Sequence, residues 1–302
     1  MPLGIFGFMA LWSPFFIVAL VFLTAVYFLL TVKWRRSFPD SEPLKKKQAV
    51  YFILGMLLLY VVKGSPVEVL SSILFSAHMT QMALLYLVVT PLIILGIPTW
   101  VWKAVIKLPV IKGVFGFMTK PLISLLSFNV IFSIYHIPIV FDHVRTDPTS
   151  HGLAMTILFI LSLFMWWPLL NPGDEDIDLS GLKRIGYILG SAVLLTPACG
   201  LIIFAENPLY APYYDPQEFM KALALCVPAN TLNGLSISGP ELFTNMSIEN
   251  DQQLGGVIMK IIQEIVFGVM LFNLFFQWYR SDQEKQEKLS YDPVIDPSST
   301  ES

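Results

Sequence analysis

The chain has 302 residues, of which 55% are hydrophobic and only 14% are charged, and its mean hydropathy is +0.66. Soluble globular proteins are charged at about a quarter of their positions, so this composition indicates an integral membrane protein and excludes a soluble enzyme or a disordered chain. The net charge of −3 argues against nucleic acid as a partner, because phosphate binding needs a concentrated basic face. Two cysteines, Cys199 and Cys226, are too few for a disulfide framework.

Seven apolar segments approach the roughly 20 residues that a transmembrane helix needs. They predict an all-α polytopic membrane protein with a single seven-helix domain over residues 1–279. The second segment is the shortest, so either its helix tilts little or the ammonium of Lys63 at its end snorkels outward. The predicted spans, each a continuous helix in the lipid bilayer, are residues 10–32, 49–65, 71–97, 121–141, 151–170, 185–205 and 253–279.

The distribution of cationic residues predicts the orientation of the chain. Lys and Arg concentrate in the inner loops of membrane proteins. If the N-terminus is outside, all of the 19 Lys and Arg except Lys63, Arg145, Lys221 and Lys260 fall in the inner regions. The pattern therefore predicts a multi-pass membrane protein with an N-out, C-in orientation.

The segments between and after the spans show no enzyme motif. GxSxG, HExxH, the Walker lysine motif and the Gly-rich dinucleotide turn are all missing, so we expect a protein that is not an enzyme. Residues 280–302 are too poor in apolar side chains to fold alone and are predicted to be a disordered cytoplasmic tail. In the long outer segment 206–252, the KALALC run at 221–226 could form a short helix along the membrane interface.

The chain has four histidines, and all of them map to the predicted outer side. His78 lies in the third span, His136 in the fourth, His143 in the loop that follows, and His151 at the start of the fifth. Together they would form a short track from the water boundary into the outer third of the membrane. Imidazoles at such depths are candidate metal ligands, although a histidine near the interface is also tolerated without any ligand role.

Methionines accompany these histidines at helical spacing. Met82 is four residues from His78, Met155 is four residues from His151, and Met79 is adjacent to His78. Imidazole together with thioether suits copper, especially Cu(I), better than hard cations. Methionine is equally ordinary packing material in an apolar bundle, so the residues by themselves leave copper binding and plain packing both open.

The last span contains a Lys–Glu pair, Lys260 and Glu264, at i,i+4 spacing. Charges are costly in lipid, so we expect this structural ion pair to face the bundle interior; a proton or cation path is the alternative. Asp251 is predicted to be the N-cap of the same helix. Gly255 and Gly256 should allow a neighbouring helix to approach closely.

Three stretches of the chain are similar to the CtaG family of caa3-type cytochrome c oxidase assembly proteins. They are LFSAHMTQMALLYLVVTPLIILGIP (74–98), YHIPIVFDHVRTDPTSHGLAMTILFILSLFMWWPLL (135–170) and DQQLGGVIMKI (251–261). The positions that match the family motifs are His78, Met79, Met82, His136, His151, Trp166, Trp167, Pro168 and Asp251; the match at His143 is weaker.

The resemblance implies a plasma-membrane protein that is needed to build active caa3 oxidase. Its implied partner is subunit I of the oxidase, where it would help to form the copper centre CuB, and a copper chaperone outside the cytoplasm is a further candidate partner. We hypothesise that the outer histidines and methionines hold this copper: His143 and His151 capture it, Met79, Met82 and Met155 favour Cu(I), and His78 and His136 form the deeper site.

Two other functions stay open. His78 and His136 are predicted at similar depths on different helices, so they could instead be the axial ligands of a haem b. The protein could also be a metal-free scaffold that holds subunit I during assembly. The histidine track favours copper over the scaffold, and an absent Soret band would exclude the haem.

Overall fold

The computed structural model describes residues 2–170, 179, 181–232 and 237–290, and it contains helices and no strand within these ranges. The helices of this region are α1 (Gly7–Trp12), α2 (Pro14–Phe28), α3 (Lys46–Lys63), α4 (Pro66–Ile73), α5 (Phe75–Ala83), α6 (Thr90–Gly96), α7 (Thr99–Ile106), α8 (Pro109–Met118), α9 (Pro121–Tyr135), α10 (Pro138–Thr146), α11 (Pro148–Leu170), α12 (Gly181–Ile203), α13 (Pro216–Leu223), α14 (Ala229–Leu232) and α15 (Ile248–Ser290). The predicted all-α class is confirmed.

The described region has five helices that are long and apolar enough to cross a membrane, or up to seven if each of two bent pairs is one span. The bent pairs are α3 with α4, at 45°, and α8 with α9, at 83°. A multi-pass membrane protein is therefore supported. The number of seven spans and the N-out, C-in orientation stay predictions.

Breaks in the helix mark the end of the second predicted span and the start of the third. Gly64 ends α3, and α4 begins at Pro66, whose preceding residue Ser65 accepts a hydrogen bond from the Val67 N–H. Leu74 has an extended backbone and separates α4 from α5, so the third span begins at residue 75 instead of 71. Lys63, the last residue of α3, forms an ion pair in which its Nζ lies 2.6 Å from Glu68 Oε1.

The fourth predicted span is also interrupted. It was expected to run to residue 141, but α9 ends at Tyr135 and α10 begins at Pro138. A proline disfavours helical geometry in the residue before it and has no N–H to continue the helix. His136 consequently lies at the end of α9, in a turn.

A wide helical turn over Leu84–Val89 connects α5 to α6. Such π-type turns leave backbone groups without their usual helical partners. The Trp166 indole N–H donates to the Tyr86 carbonyl oxygen at 2.8 Å. The Thr90 hydroxyl donates to the Leu85 carbonyl oxygen at 3.1 Å. Trp166 and Trp167 are both buried in the main core, so the WWP motif packs α11 against this turn.

The long helix α15 packs closely against two neighbours. A Cβ on Gly255 would lie 2.8 Å from Phe75 Cδ1 on α5, and a Cβ on Gly256 would lie 2.8 Å from Ile203 Cγ1 on α12. The predicted close approach at these glycines is confirmed. Helix α15 continues to Ser290, so residues 280–290, which were predicted to be disordered, are helical, and 291–302 lie outside the described residues.

The prediction that Lys260 and Glu264 face the bundle interior is wrong. The ion pair forms, with Nζ and Oε1 2.8 Å apart, but the Glu264 side chain is 59% exposed and the Lys260 side chain 30%. Lys260 also donates to the Thr196 hydroxyl on α12. The pair therefore faces away from the interior of the helix bundle.

A second hydrophobic cluster covers the end of the bundle where α4 lies. Helix α13 begins at Pro216, five residues before the predicted KALALC helix, because Asp215 caps it through the N–H groups of Gln217 and Glu218. Its residues Phe219 and Leu223 are buried in this cluster instead of lying along the membrane interface. The other buried members are Phe6, Leu11, Val69, Ile73, Val227, Leu232 and Phe243.

Candidate functional site

Helices α5, α9, α10 and α11 bring three of the four histidines to one end of the bundle, which we call the histidine end. The ring centroids of His78 and His136 are 6.3 Å apart. The Phe141 ring lies beside both, at 5.3 Å from His78 and 6.2 Å from His136. His78 and His136 are both fully buried. We call these two neighbouring residues the histidine pair.

The turn after α9 determines which nitrogen of His136 is free. Its Nδ1 lies 2.8 Å from the Phe132 carbonyl oxygen. A carbonyl oxygen can only accept a hydrogen bond, so Nδ1 carries the proton of the neutral ring and Nε2 carries the lone pair. Nε2 is buried and has no hydrogen-bond partner among the described residues. This is the form of imidazole that binds a metal, with its second nitrogen held by a carbonyl.

Both ring nitrogens of His78 lack hydrogen-bond partners among the described residues. Its side chain is 0% exposed, and neither Nδ1 nor Nε2 has a hydrogen-bond partner in the described part of the chain. An imidazole always presents at least one N–H, and leaving such a group unpaired in the interior costs about 1–3 kcal/mol. The other nitrogen of the neutral ring carries a lone pair that no donor among the described residues engages, so His78 is a candidate metal ligand.

The position of His78 depends on a cap from another helix. Leu74, which precedes α5, offers no side-chain acceptor. Asp251, on α15, takes its place: Oδ2 accepts from the Phe75 N–H at 2.7 Å, and Oδ1 accepts from the Ser76 hydroxyl. The prediction that Asp251 caps its own helix is therefore wrong, because α15 begins three residues earlier, at Ile248.

Arg145, which sequence reasoning did not select, is the centre of a buried polar network. Its side chain is fully buried, with Nη2 donating to the Ser71 carbonyl oxygen at 2.9 Å and to the Ser72 hydroxyl at 3.0 Å. Its Nη1 lies 3.0 Å from His151 Nε2. The one signal in the sequence was an isolated arginine on a side that is otherwise poor in cations.

The contact between Arg145 and His151 also determines which ring nitrogen of His151 carries the proton. A guanidinium can only donate, so His151 Nε2 accepts and its Nδ1 carries the proton. His151 therefore has its lone pair engaged by Arg145, in contrast to the free Nε2 of His136. In the structure His151 orients the network beside the histidine pair, and its predicted role as a copper ligand stays a prediction.

The remaining predicted ligands lie in different surroundings. Met79 packs against α15, where its Cγ is 3.1 Å from the position of a Cβ on Gly255. Met82 is fully buried in the main core, and Met155 Sδ lies 3.4 Å from the Tyr86 hydroxyl. His143 is exposed on α10.

Aromatic rings cover the histidine pair on the side of α13. Tyr210 stacks on Phe75 with ring centroids 4.6 Å apart and contacts Phe141 at 4.4 Å, while Tyr213 meets Phe75 edge-on at 5.5 Å. Burial raises the pKa of Tyr213 to about 12, so its hydroxyl stays protonated and donates to the Ser71 carbonyl oxygen. We call Phe75, Phe141, Tyr210 and Tyr213 the aromatic plug; its rings cover the histidine pair on this side.

The donor set fits a metal with few ligands. The described residues contain no group of three or more His, Cys, Asp or Glu side chains that could hold a metal ion. The residues that would hold a metal here are His78 and His136, whose ring centroids are 6.3 Å apart and which have ring nitrogens without a hydrogen-bond partner in the described part of the chain.

Comparison with families of known proteins gives a match over most of the chain. The model of the family described as cytochrome c oxidase caa3 assembly factor (Caa3_CtaG) matches residues 25–281. Comparison with curated proteins and with solved structures gave no match. The matched region includes the histidine pair, Arg145 and Asp251, and it spans most of the chain, so this protein belongs to the caa3 cytochrome c oxidase assembly factor family.

Proposed function

We propose that this protein assists the formation of the CuB centre of caa3 oxidase by holding copper at the histidine pair. The observation that carries the proposal is the convergence, 6.3 Å apart and away from water, of two neutral imidazoles whose metal-binding nitrogens have no partner among the described residues. Membership of the assembly family supplies the oxidase as the protein it serves. In this role it binds and delivers a cofactor and is not an enzyme.

The surroundings of the histidine pair favour Cu(I). Imidazole ligands bind copper well, and a site of two ligands suits the monovalent ion better than metals that require four or six. Arg145 is a fixed cation beside this site, and a buried positive charge opposes a divalent ion more strongly than a monovalent one. In this proposal the chain provides the two imidazole ligands and excludes water from the site, and copper is the cargo that the site would hold.

The other predicted ligands have subordinate roles in this proposal. His143 is accessible for the first capture of copper, from a chaperone outside the cytoplasm if the N-out orientation holds. His151 holds Arg145 in place, and Met79, Met82 and Met155 form apolar walls around α5 and α11. Subunit I of the oxidase receives the copper in the plasma membrane.

The test uses the double variant His78→Ala/His136→Ala, with His143→Ala as a control that changes an exposed imidazole. The purified proteins are loaded with Cu(I), and bound copper is measured together with the CuB content of oxidase made in cells that carry each variant. We expect the double variant to lose stoichiometric copper and to lower CuB occupancy. The control should retain the copper that is loaded directly onto the purified protein, because His143 captures copper but does not hold it at the histidine pair. The thermal midpoint of each protein establishes that it is folded.

Two outcomes would contradict the proposal. If the double variant is folded and still supports full CuB occupancy, the protein does not donate copper, and the metal-free scaffold explains its family role. A Soret band in the purified wild-type protein that disappears in the double variant would identify the histidine pair as haem ligands instead.

A further inference from the structure

A polar pocket lies at the end of the bundle away from the histidine pair. Its volume of about 480 Å³ lies within the range of roughly 300–1,000 Å³ that is common for small-molecule sites. The connection between α2 and α3 lines one side of the pocket, and one face of α7 lines the other. The charged and aromatic residues of this lining are Phe38, Asp40, Glu42, Trp100, Lys103 and Lys107.

The pocket is located where the headgroups of a bilayer lie. The candidate membrane span Phe75–Gly96 ends three residues before Thr99, the first residue of α7, and the candidate span Leu3–Lys33 ends five residues before Phe38. Both spans therefore end beside the pocket, at the boundary between hydrocarbon and water. The helical segment from His78 to Gly96 is about 27 Å long at ~1.5 Å per residue, so the pocket is remote from the histidine pair.

The pocket presents charges of both signs that the rest of the described chain does not neutralise. Lys103 and Lys107 are four residues apart, on one face of α7, and neither forms an ion pair with another described residue. The same holds for Asp40, on the facing side. Glu42 lies 3.8 Å from Lys45, but both side chains are more than 70% exposed, so this pair is weak. The pocket is therefore complementary to a ligand that carries a negative and a positive group.

The pocket also offers donors for an oxygen-rich ligand. Trp100 is 8% exposed, and its indole Nε1, which can only donate, has no acceptor among the described residues. A buried donor without an acceptor is unfavourable, and a ligand oxygen that reaches Trp100 would satisfy it. Helix α7 begins at Thr99, in the lining, without a side-chain cap, so N–H groups of its first turn are available to an anion. The Phe38 ring, 5.3 Å from that of Trp100, adds an apolar surface.

We propose that this pocket binds the headgroup of a membrane phospholipid that carries a phosphodiester and a primary ammonium, as phosphatidylethanolamine does. The phosphate lies between Lys103 and Lys107, and the ammonium donates to the Asp40 carboxylate. The glycerol esters contact Trp100 and Phe38, and the acyl chains extend into the bilayer. The bound lipid joins the connection between α2 and α3 to α7. The pocket carries this inference independently of copper binding at the histidine pair.

The test measures lipid binding by native mass spectrometry of the full-length protein, purified in detergent and depleted of lipid. The protein is titrated with phosphatidylethanolamine, phosphatidylglycerol and phosphatidylcholine of the same acyl chains, and with inorganic phosphate. We expect one phosphatidylethanolamine to bind at least about tenfold more tightly than phosphatidylcholine, whose trimethylammonium has no N–H for Asp40. Inorganic phosphate should not displace it, because the free ion lacks the ammonium and the glycerol esters.

Substitutions separate the two charged contacts. Asp40→Asn should weaken phosphatidylethanolamine binding about tenfold without weakening that of phosphatidylglycerol, which has no ammonium. Lys103→Gln/Lys107→Gln should weaken both lipids at least about tenfold, because the phosphate loses its cations. Lys112→Gln changes an exposed lysine of α8 outside the lining and should bind lipid like the wild type. Thermal midpoints establish that each variant is folded, and copper bound after Cu(I) loading should be unchanged in all of them.

Each contrary outcome is distinct. Equal binding of phosphatidylethanolamine and phosphatidylcholine would overturn the proposal, as would wild-type lipid binding by the folded double lysine variant. Displacement of the lipid by inorganic phosphate would identify a site for a soluble phosphate compound instead. If Lys112→Gln weakens lipid binding as much as the double variant does, the attraction belongs to the basic surface in general and the pocket is not a lipid site.

Discussion

Replacement of Asp251 tests the idea that α15 positions the histidine pair through α5. In Asp251→Ala, the Phe75 N–H loses its 2.7 Å acceptor and the Ser76 hydroxyl loses its partner, in a region where Asp251 is 7% exposed. Loss of a helix cap costs about 0.5–2 kcal/mol, and an unpaired buried N–H costs about 1–3 kcal/mol. We therefore expect the free energy of unfolding to fall by about 2–4 kcal/mol.

The assay is thermal unfolding of the purified protein in detergent, followed by copper loading below the transition. The expected loss corresponds to a decrease of roughly 4–12 °C in the thermal midpoint. Asp251→Asn, which keeps one acceptor oxygen, should fall between the wild type and Asp251→Ala. Asn250→Ala changes the exposed neighbouring residue and should have no effect. If Asp251→Ala unfolds at the wild-type temperature and binds copper normally, the cap does not position His78 and the reasoning is refuted.

Three further predictions concern packing, charge and pH. Gly255→Ala should destabilise the protein by about 1–3 kcal/mol, because the new Cβ would lie 2.8 Å and 3.1 Å from atoms of α5. Gly200→Ala is the control, since a Cβ there would meet nothing within 4 Å, and its thermal midpoint should equal that of the wild type. Arg145→Met should lower the free energy of unfolding by about 2–4 kcal/mol, since the hydrogen bonds of a buried cation are lost; an unchanged midpoint would contradict the network. Burial raises the pKa of Asp142 to about 6, so the folded state binds the proton more tightly than the unfolded state does. The contribution of Asp142 to stability should be greatest below about pH 4 and should be lost as the pH rises through about 6, and Asp142→Asn should remove this part of the pH dependence.

Hydropathy and charge predicted the class of this protein well, because each span must be apolar over its whole length regardless of its neighbours. The breaks within the spans were harder to predict. Pro66 and Pro138 are visible in the sequence, yet the hydropathy of both segments continues past them, so a count of apolar residues extended the helix at His136 by six residues. Local chain geometry, which hydropathy does not report, ends these helices.

The candidate site was predicted in composition but not in arrangement. The predicted depths of His78 and His136 led to the hypothesis that these two residues form one site, but they did not give the distance between the rings. Nothing in the sequence indicated that His151 would accept a hydrogen bond from Arg145. Those contacts join residues that are 58 and 6 positions apart in the chain, across turns whose angles depend on packing.

The amino-acid sequence was sufficient to establish a helical membrane protein with its histidines in a few defined segments, since burial in lipid constrains every residue of a span separately. Tertiary structure was needed to show that Asp251 caps α5, that Glu264 faces outward and that the aromatic plug covers the histidine pair. These features depend on which helix faces meet, and helices with similar apolar surfaces can meet in many ways. Close packing at Gly255 and Gly256 and the buried hydrogen bonds of Arg145 select one of these arrangements.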